Sequence, residues 1–113
     1  MDVKIRRSVI YIDFYKISIS DDAKEELKQI YYYIAMCLKE ENIARKLINK
    51  IRKEILRLQY FPKENKVIFR QGKKELYRLI VKNYIIIYQI DIKIKTVYIL
   101  HIFNSKQNYL KII

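Results

Sequence analysis

The 113-residue chain holds one glycine, one proline, one cysteine and one histidine. The lone cysteine, Cys37, excludes an intramolecular disulfide and a cysteine-based zinc cluster, and it suits a reducing cytosol. Its most natural place is as a small buried apolar side chain. One histidine and one cysteine leave no transition-metal site, and no cofactor is expected. The lone glycine sits in Gln71-Gly72-Lys73-Lys74, which lacks the glycine-rich turn into a helix that cradles phosphates. No Gly-x-Ser-x-Gly elbow and no cysteine–histidine pair points to acyl transfer. No apolar run approaches the ~18 residues that cross a bilayer. Lys4, Arg6 and Arg7 precede a short apolar stretch, but Asp13 interrupts it and no small-residue cleavage site follows, so no secretory signal is expected.

Acidic residues are the other scarcity. There are 12 against 24 basic ones, a formal net charge of +12. Up to Phe61 the chain has 13 basic and 9 acidic residues; beyond it there are 11 basic and only Glu64, Glu75 and Asp91. A charge this lopsided points to a compensating polyanion or acidic protein, the alternative being a Lys-rich surface that follows the chain's bias toward Ile, Lys, Asn and Tyr. Hydrophobic residues at 51% and charged residues at 32% fit a globular chain rather than a disordered one. The length suits a single domain spanning residues 1–113, with a core over about 14–109 and an extra N-terminal segment at 1–13.

Residues 10–19 alternate as a strand does, most cleanly over 14–19. Residues 1–8 read as a basic tail or an extension of that strand. Ser20 is a good N-cap, and Asp21, Asp22, Glu25 and Glu26 suit the positive end of a helix dipole. Ala23, Leu27, Ile30, Ile34 and Leu38 then trace one helix face. After a polar connection, Lys39-Glu40-Glu41, Asn42 is placed to cap a second helix. Its stripe is Ala44, Leu47, Ile48, Ile51, Ile55 and Leu58, and Phe61-Pro62 closes it. Two helices so connected form an antiparallel hairpin.

Residues 75–103 hold three β-branched and aromatic runs, with connections too short for a parallel return, so they form an antiparallel meander. A short strand at 67–69 is a further option. The fold class is α+β: an N-terminal strand, an antiparallel helical hairpin, then a three-stranded antiparallel meander, in the order β-α-α-β-β-β. The helical hairpin covers one sheet face. The other face is also apolar, which suggests an interface, with 109–113 or the N-terminal residues as the alternative cover.

At this point the residues resemble the RelE/ParE superfamily of type II toxin–antitoxin toxins. The likeness runs through Tyr15-Lys-Ile-Ser-Ile-Ser-Asp-Asp-Ala, the segment ending in Leu58-Gln-Tyr-Phe-Pro, and above all Tyr77-Arg-Leu-Ile-Val-Lys-Asn-Tyr-Ile-Ile-Ile-Tyr-Gln-Ile-Asp followed by Thr96-Val-Tyr-Ile-Leu-His-Ile-Phe. It spans roughly Tyr15 to Tyr109. The resemblance implies a cytoplasmic toxin neutralised by an acidic antitoxin encoded beside it, as in plasmid stabilisation and growth inhibition. The long hairpin looks more like the ParE branch, whose members inhibit DNA gyrase by binding. The alternatives are a RelE-like, metal-independent endoribonuclease acting on messenger RNA in the ribosome, and a non-toxic relative that keeps only antitoxin binding.

Cleavage by the 2′-hydroxyl needs a base, an acid and cations that stabilise the charged transition state. Arg78, Lys82, His101, Lys106 and Tyr109 are the candidates. Relatives of the nuclease kind usually carry arginine where this chain has Ile85, and ParE-like relatives often do as well. Asn104, Lys106 and Asn108 stand where many relatives have histidine, arginine and aspartate. For target binding the candidates are Arg78, Lys82, Lys106 and Tyr109; for antitoxin binding, Tyr84, Ile86 and Tyr88. Each has a structural alternative: His101 hydrogen-bonded within the sheet, Arg78 ion-paired to Glu75 or Asp91, and at least one of Tyr31, Tyr32 and Tyr33 packed in the core.

Overall fold

A computed structural model describes residues 14–106. The expectations for 1–13 and for 107–113, Tyr109 among them, lie outside the described residues. The order is β1 (Lys16–Ile19), α1 (Asp21–Tyr32), a π-helical turn (Tyr33–Cys37), α2 (Glu41–Leu56), a 3-10 turn (Arg57–Gln59), then β2 (Lys66–Gln71), β3 (Lys74–Val81), β4 (Tyr84–Asp91) and β5 (Thr96–Asn104). One five-stranded sheet runs in the order β1-β5-β4-β3-β2. β1 pairs parallel to β5, and the other neighbours are antiparallel. The fold is the expected α+β arrangement, with the optional strand present: the meander has four strands.

Ser20 starts α1 as expected and also anchors it. Its Oγ accepts from Ala23 N at 3.0 Å and donates to the Leu100 carbonyl at 2.8 Å, so one side chain caps the helix and ties it to β5. The α1 stripe departs from expectation at its end. Leu38 N reaches back five residues to the Tyr33 carbonyl at 3.1 Å, and this wider turn rotates the stripe. Ala35 enters the core, while Leu38 is 51% exposed. Lys39 then adopts a left-handed φ of 56°, which stops the helix. α2 begins at Glu41 rather than behind Asn42, and Glu40 precedes it without a side-chain cap. Its apolar stripe is as expected: Ala44, Leu47, Ile48, Ile51 and Ile55 are buried, and Leu58 follows them from the 3-10 turn.

The hairpin turns show their chemistry. Gly72 opens the β2–β3 turn at φ 60°, the conformation that glycine adopts without cost. Lys82 occupies the same place in the β3–β4 turn at φ 55°. The β4–β5 turn is held by Asp91, whose Oδ1 accepts from Lys93 N and Ile94 N.

Two apolar clusters sandwich the sheet. The larger joins α1 and α2 to Tyr77, Leu79, Val81, Tyr84, Ile86, Tyr88, Val97, Ile99 and Ile102. The second gathers Leu76, Ile85, Ile87 and Phe103 on the opposite face, with Ile68, Phe69 and Leu100 packed against them. That face is therefore not an open apolar surface. Ile87 at its centre is 0% exposed, and only Ile80 among its large apolar groups on β3 stands out to solvent. Cys37 is exposed at the tip of the hairpin, because the π turn carries it past the core.

Candidate functional site

Two surfaces gather charged and titratable groups. The first is the sheet face opposite the helices. Strand register aligns Lys66, Arg78, Ile87 and His101 across four neighbouring strands. Directly opposed residues share a face, so the row holds three basic or titratable groups around one buried isoleucine. With strands ~4.8 Å apart, Arg78 and His101 stand roughly 10 Å from each other. Lys82 and Lys106 lie at one end of the same sheet. The tail is held there because Ser105 N donates to the Asn83 carbonyl at 2.8 Å and Lys106 N donates to Asn104 Oδ1 at 2.9 Å.

Arg78 is half-buried and makes no ion pair with Glu75 or Asp91. Glu75 is taken by Arg70 at 2.6 Å, and Asp91 is occupied with its own turn. The structural alternative for Arg78 is thereby removed. His101, in contrast, is hydrogen-bonded as the sequence suggests. Its Nδ1 lies 3.1 Å from Glu26 Oε2, and Glu26 Oε1 accepts from Ile102 N at 2.8 Å. Glu26 thus closes the edge of β5 beyond the end of β1, a position that sequence reasoning had assigned only to the helix dipole. The fitting partner is 75 residues away in the chain, so no local signal could reveal it.

This arrangement has a specific consequence. Glu26→Ala is expected to lower stability by about 1–3 kcal/mol, because the Ile102 N–H loses its acceptor in a half-buried place. Glu26→Gln should cost less, since an amide oxygen can still accept. His101→Ala should also cost less, as the backbone donor stays satisfied. Urea unfolding of the three variants checks this ranking.

The candidate antitoxin-contact residues lie in the core of the free chain. Tyr84, Ile86 and Tyr88 are buried at 8%, 0% and 0% exposure within the larger cluster. Strand alternation turns them toward the helices. Tyr88 is fixed there by its hydroxyl, which donates to the Pro62 carbonyl at 2.6 Å and accepts from Asn65 at 3.0 Å. Its ring stacks on Tyr77 at 5.2 Å. Burial pushes its hydroxyl up to about 12.

The second surface went unseen in the sequence. A groove of about 630 Å³ opens between α1, α2 and β1. Ile17, Ile19, Leu27, Ile48 and Ile55 make it apolar, and Lys24, Lys28, Arg45 and Arg52 stand among its lining groups without any carboxylate. Arg45 pairs with Glu41 at 3.1 Å; the other three cations have no carboxylate partner among the described residues. Of the tyrosine triplet, Tyr31 packs against the core, while Tyr32 and Tyr33 are exposed. Among the described residues no cluster of histidine, cysteine, aspartate and glutamate is built to hold a metal.

A strand, a helical pair, an antiparallel meander and a basic sheet end together define a small toxin fold of the RelE/ParE kind. Residues 17–109 match the family model described as the ParE toxin of the type II toxin–antitoxin system parDE, and the chain belongs to that family. Solved structures agree on the fold. The chain is similar to a chromosomal ParDE toxin–antitoxin system from P. aeruginosa, with a TM-score of 0.63 and 16% identity over 83% of this chain and 99% of that one. It is similar to the toxin–antitoxin complex RelBE2 from Mycobacterium tuberculosis, with a TM-score of 0.62 and 15% identity over 83% and 94%. The free E. coli toxin RelE, as an arginine-to-alanine double mutant, gives a TM-score of 0.59 and 12% identity over 87% and 90%. A comparison with curated protein sequences finds no match.

Proposed function

We propose that this toxin inhibits DNA gyrase by binding it, in the cytoplasm, and that an acidic antitoxin holds it inactive. The observation that carries this reading is the match to the ParE family over most of the chain. Chemistry on the sheet face supports it. His101 is the sole histidine of the sequence, and its Nδ1 is committed to Glu26. Arg78 stands two strands away from it. A base, an acid and a cation acting on one phosphodiester need hydrogen-bond reach of the reacting atoms, which this spacing does not offer directly. A binding role asks less of the same groups: Arg78, Lys82, Lys106 and Tyr109 then supply charge and shape to a protein target. The left-handed Lys82, in a place that favours glycine, fits a side chain retained for contact rather than for the turn. The antitoxin reading is supported by the uncompensated cations of the groove. No helix among the described residues is long and apolar enough to cross a membrane.

The second reading is ribosome-dependent cleavage of messenger RNA, favoured by the alignment of Lys66, Arg78 and His101 on one face. One pair of assays separates the two. Purified toxin added to gyrase should abolish supercoiling, and Arg78→Ala with Lys106→Ala should restore it. Cell-free translation with mapped messenger ends should show no new cuts. Cuts within ribosome-bound codons alongside undisturbed supercoiling would exchange the two readings. If neither assay responds and induction leaves growth normal, the chain retains antitoxin binding alone.

A further inference from the structure

The tip of the helical hairpin holds apolar groups in water. Tyr33, Met36, Leu38 and Ile43 are all between 51% and 67% exposed. The π turn is the cause: it sends Ile34 and Ala35 into the core and leaves Met36 to Leu38 outside. Such wide turns recur at functional positions. The course of α1 fixes where this tip stands. Ser20 N donates to the Ile99 carbonyl and Glu26 accepts from Ile102 N, so α1 runs along β5 toward its last residue, Asn104. Asn104 pairs with Tyr84, and Ser105 N donates to the Asn83 carbonyl. After burial, Tyr33 is the other influence that raises the Tyr84 hydroxyl, which sets the π turn beside the start of β4. The hairpin tip, the β3–β4 turn and the end of β5 thus make up one end of the molecule, with Lys39, Lys82 and Lys106 on it. Lys39 and Lys82 both hold left-handed backbone, at φ 56° and 55°, where glycine would sit without strain. Lys95 is the other such residue among the described ones, at the opposite end of the sheet.

An exposed apolar cluster rimmed by charge of one sign has the make-up of a protein-binding surface. We propose that this end, hairpin tip included, is the surface that grips gyrase. An apolar recess of the target receives Met36 and Leu38, and carboxylates at the rim of that recess meet Lys39, Lys82 and Lys106. This rests on the gyrase reading and specifies which surface of the toxin carries it. Charge and side-chain type decide between occupants. Among the described residues none of the three lysines has a carboxylate partner. Glu40 is the tip's own counter-charge, because Glu41 is paired with Arg45. A second copy would set the same three lysines against one another. The chain's own residues 107–113 bring Lys111 and no acidic side chain. A nucleic acid would suit the lysines, but Met36, Leu38 and Ile43 are aliphatic and offer bases no ring to stack on. An acidic protein surface with an apolar recess gains on both counts.

Cys37, the sole cysteine of the sequence, stands exposed in this tip and serves as a built-in probe. The full-length toxin is treated with N-ethylmaleimide alone, with gyrase and with duplex DNA, and the label is read by mass on the toxin chain. Labelling should be fast in the free chain, unchanged by DNA, and slower by about tenfold or more with gyrase. Supercoiling assays supply the second arm. Met36→Glu should raise the toxin concentration for half-inhibition by about tenfold or more. Lys39→Gly with Lys82→Gly should do the same while the unfolding midpoint holds or rises, because both sites suit glycine. Ile92→Ser, an equally exposed apolar position in the β4–β5 turn, should inhibit as the parent does. Inhibition by the parent with Cys37 still labelled freely, or with the tip variants equally potent, overturns the proposal and leaves the gyrase reading standing. Slow labelling of the free chain also overturns it, since residues 107–113 or a second copy would then cover the tip; slowing by DNA alone makes nucleic acid the occupant. If the parent does not inhibit gyrase, the gyrase reading itself falls, and the proposal with it.

Discussion

Tyr88→Ala is expected to remove about 3–5 kcal/mol of stability, a large share of the 5–15 kcal/mol usual for a domain. The ring is fully buried in the sheet's centre and stacks on Tyr77 across the β3–β4 pair. The hydroxyl also fastens the connection between α2 and β2, through Pro62 and Asn65. Tyr88→Phe separates the two contributions. It keeps the ring and leaves the Pro62 carbonyl and the Asn65 amide without this partner, for about 1–3 kcal/mol.

The same residue predicts an alkaline transition. Burial, the largest cause, raises the Tyr88 hydroxyl from 10.0 to about 12; the hydrogen bond from Asn65 opposes this and the neighbouring Tyr77 adds to it. Tyr77 and Tyr84 are raised as well, again chiefly by burial. The folded chain holds these protons more tightly than the unfolded chain does. Their stabilisation is therefore complete below pH 10 and is lost as the pH climbs from 10 toward 12. For Tyr88, two pKa units correspond to about 3 kcal/mol. Unfolding followed by circular dichroism should show a midpoint flat through neutral pH that drops above pH 10. In Tyr88→Phe the drop should be shallower; an unchanged drop would mean that Tyr88 does not govern it.

Ile51→Ala is the second large effect, at about 2–5 kcal/mol. Ile51 is 0% exposed at the middle of α2 and belongs to the cluster that joins the hairpin to the sheet. Removing its branches opens a void that neighbours on a rigid helix and sheet close only in part. Ile43→Ala is the control. It makes the same chemical change on the same helix, at a residue that is 55% exposed, and should shift stability by no more than about 0.5 kcal/mol. Comparable losses at both sites would mean that helix propensity, not burial, decides the outcome.

Periodicity underlies the expected difference between these two sites, and periodicity is what made the chain readable. Ala44, Leu47, Ile48, Ile51 and Ile55 announce a buried helix face whatever they pack against, because spacings of three and four residues put them on one side. The strands of the meander were equally legible, since runs of Ile, Val and Tyr with two- and four-residue links leave only antiparallel neighbours. Ser20 as a cap followed from local chemistry. The net charge and its skew toward the second half are properties of composition alone.

The functional surfaces were another matter. Apolar residues on both sides of β4 said that two faces needed cover, but not that Leu76, Ile85, Ile87 and Phe103 would already be buried, nor that Tyr84, Ile86 and Tyr88 face the helices. Which parity faces α2 depends on where the hairpin lands, and alternation is symmetric on that point. Leu38 and Cys37 left the core because one wide turn rotated the helix, an event set by backbone hydrogen bonds rather than by side-chain pattern. Glu26 meeting His101, Arg78 left without a carboxylate among the described residues, and three cations around the edge of β1 all depend on residues far apart in the chain. Sequence determined the elements and the sign of the charge, because both are local or additive. Only the tertiary structure decided which strand edge and which lysines stand free, because that depends on which distant groups reach them first.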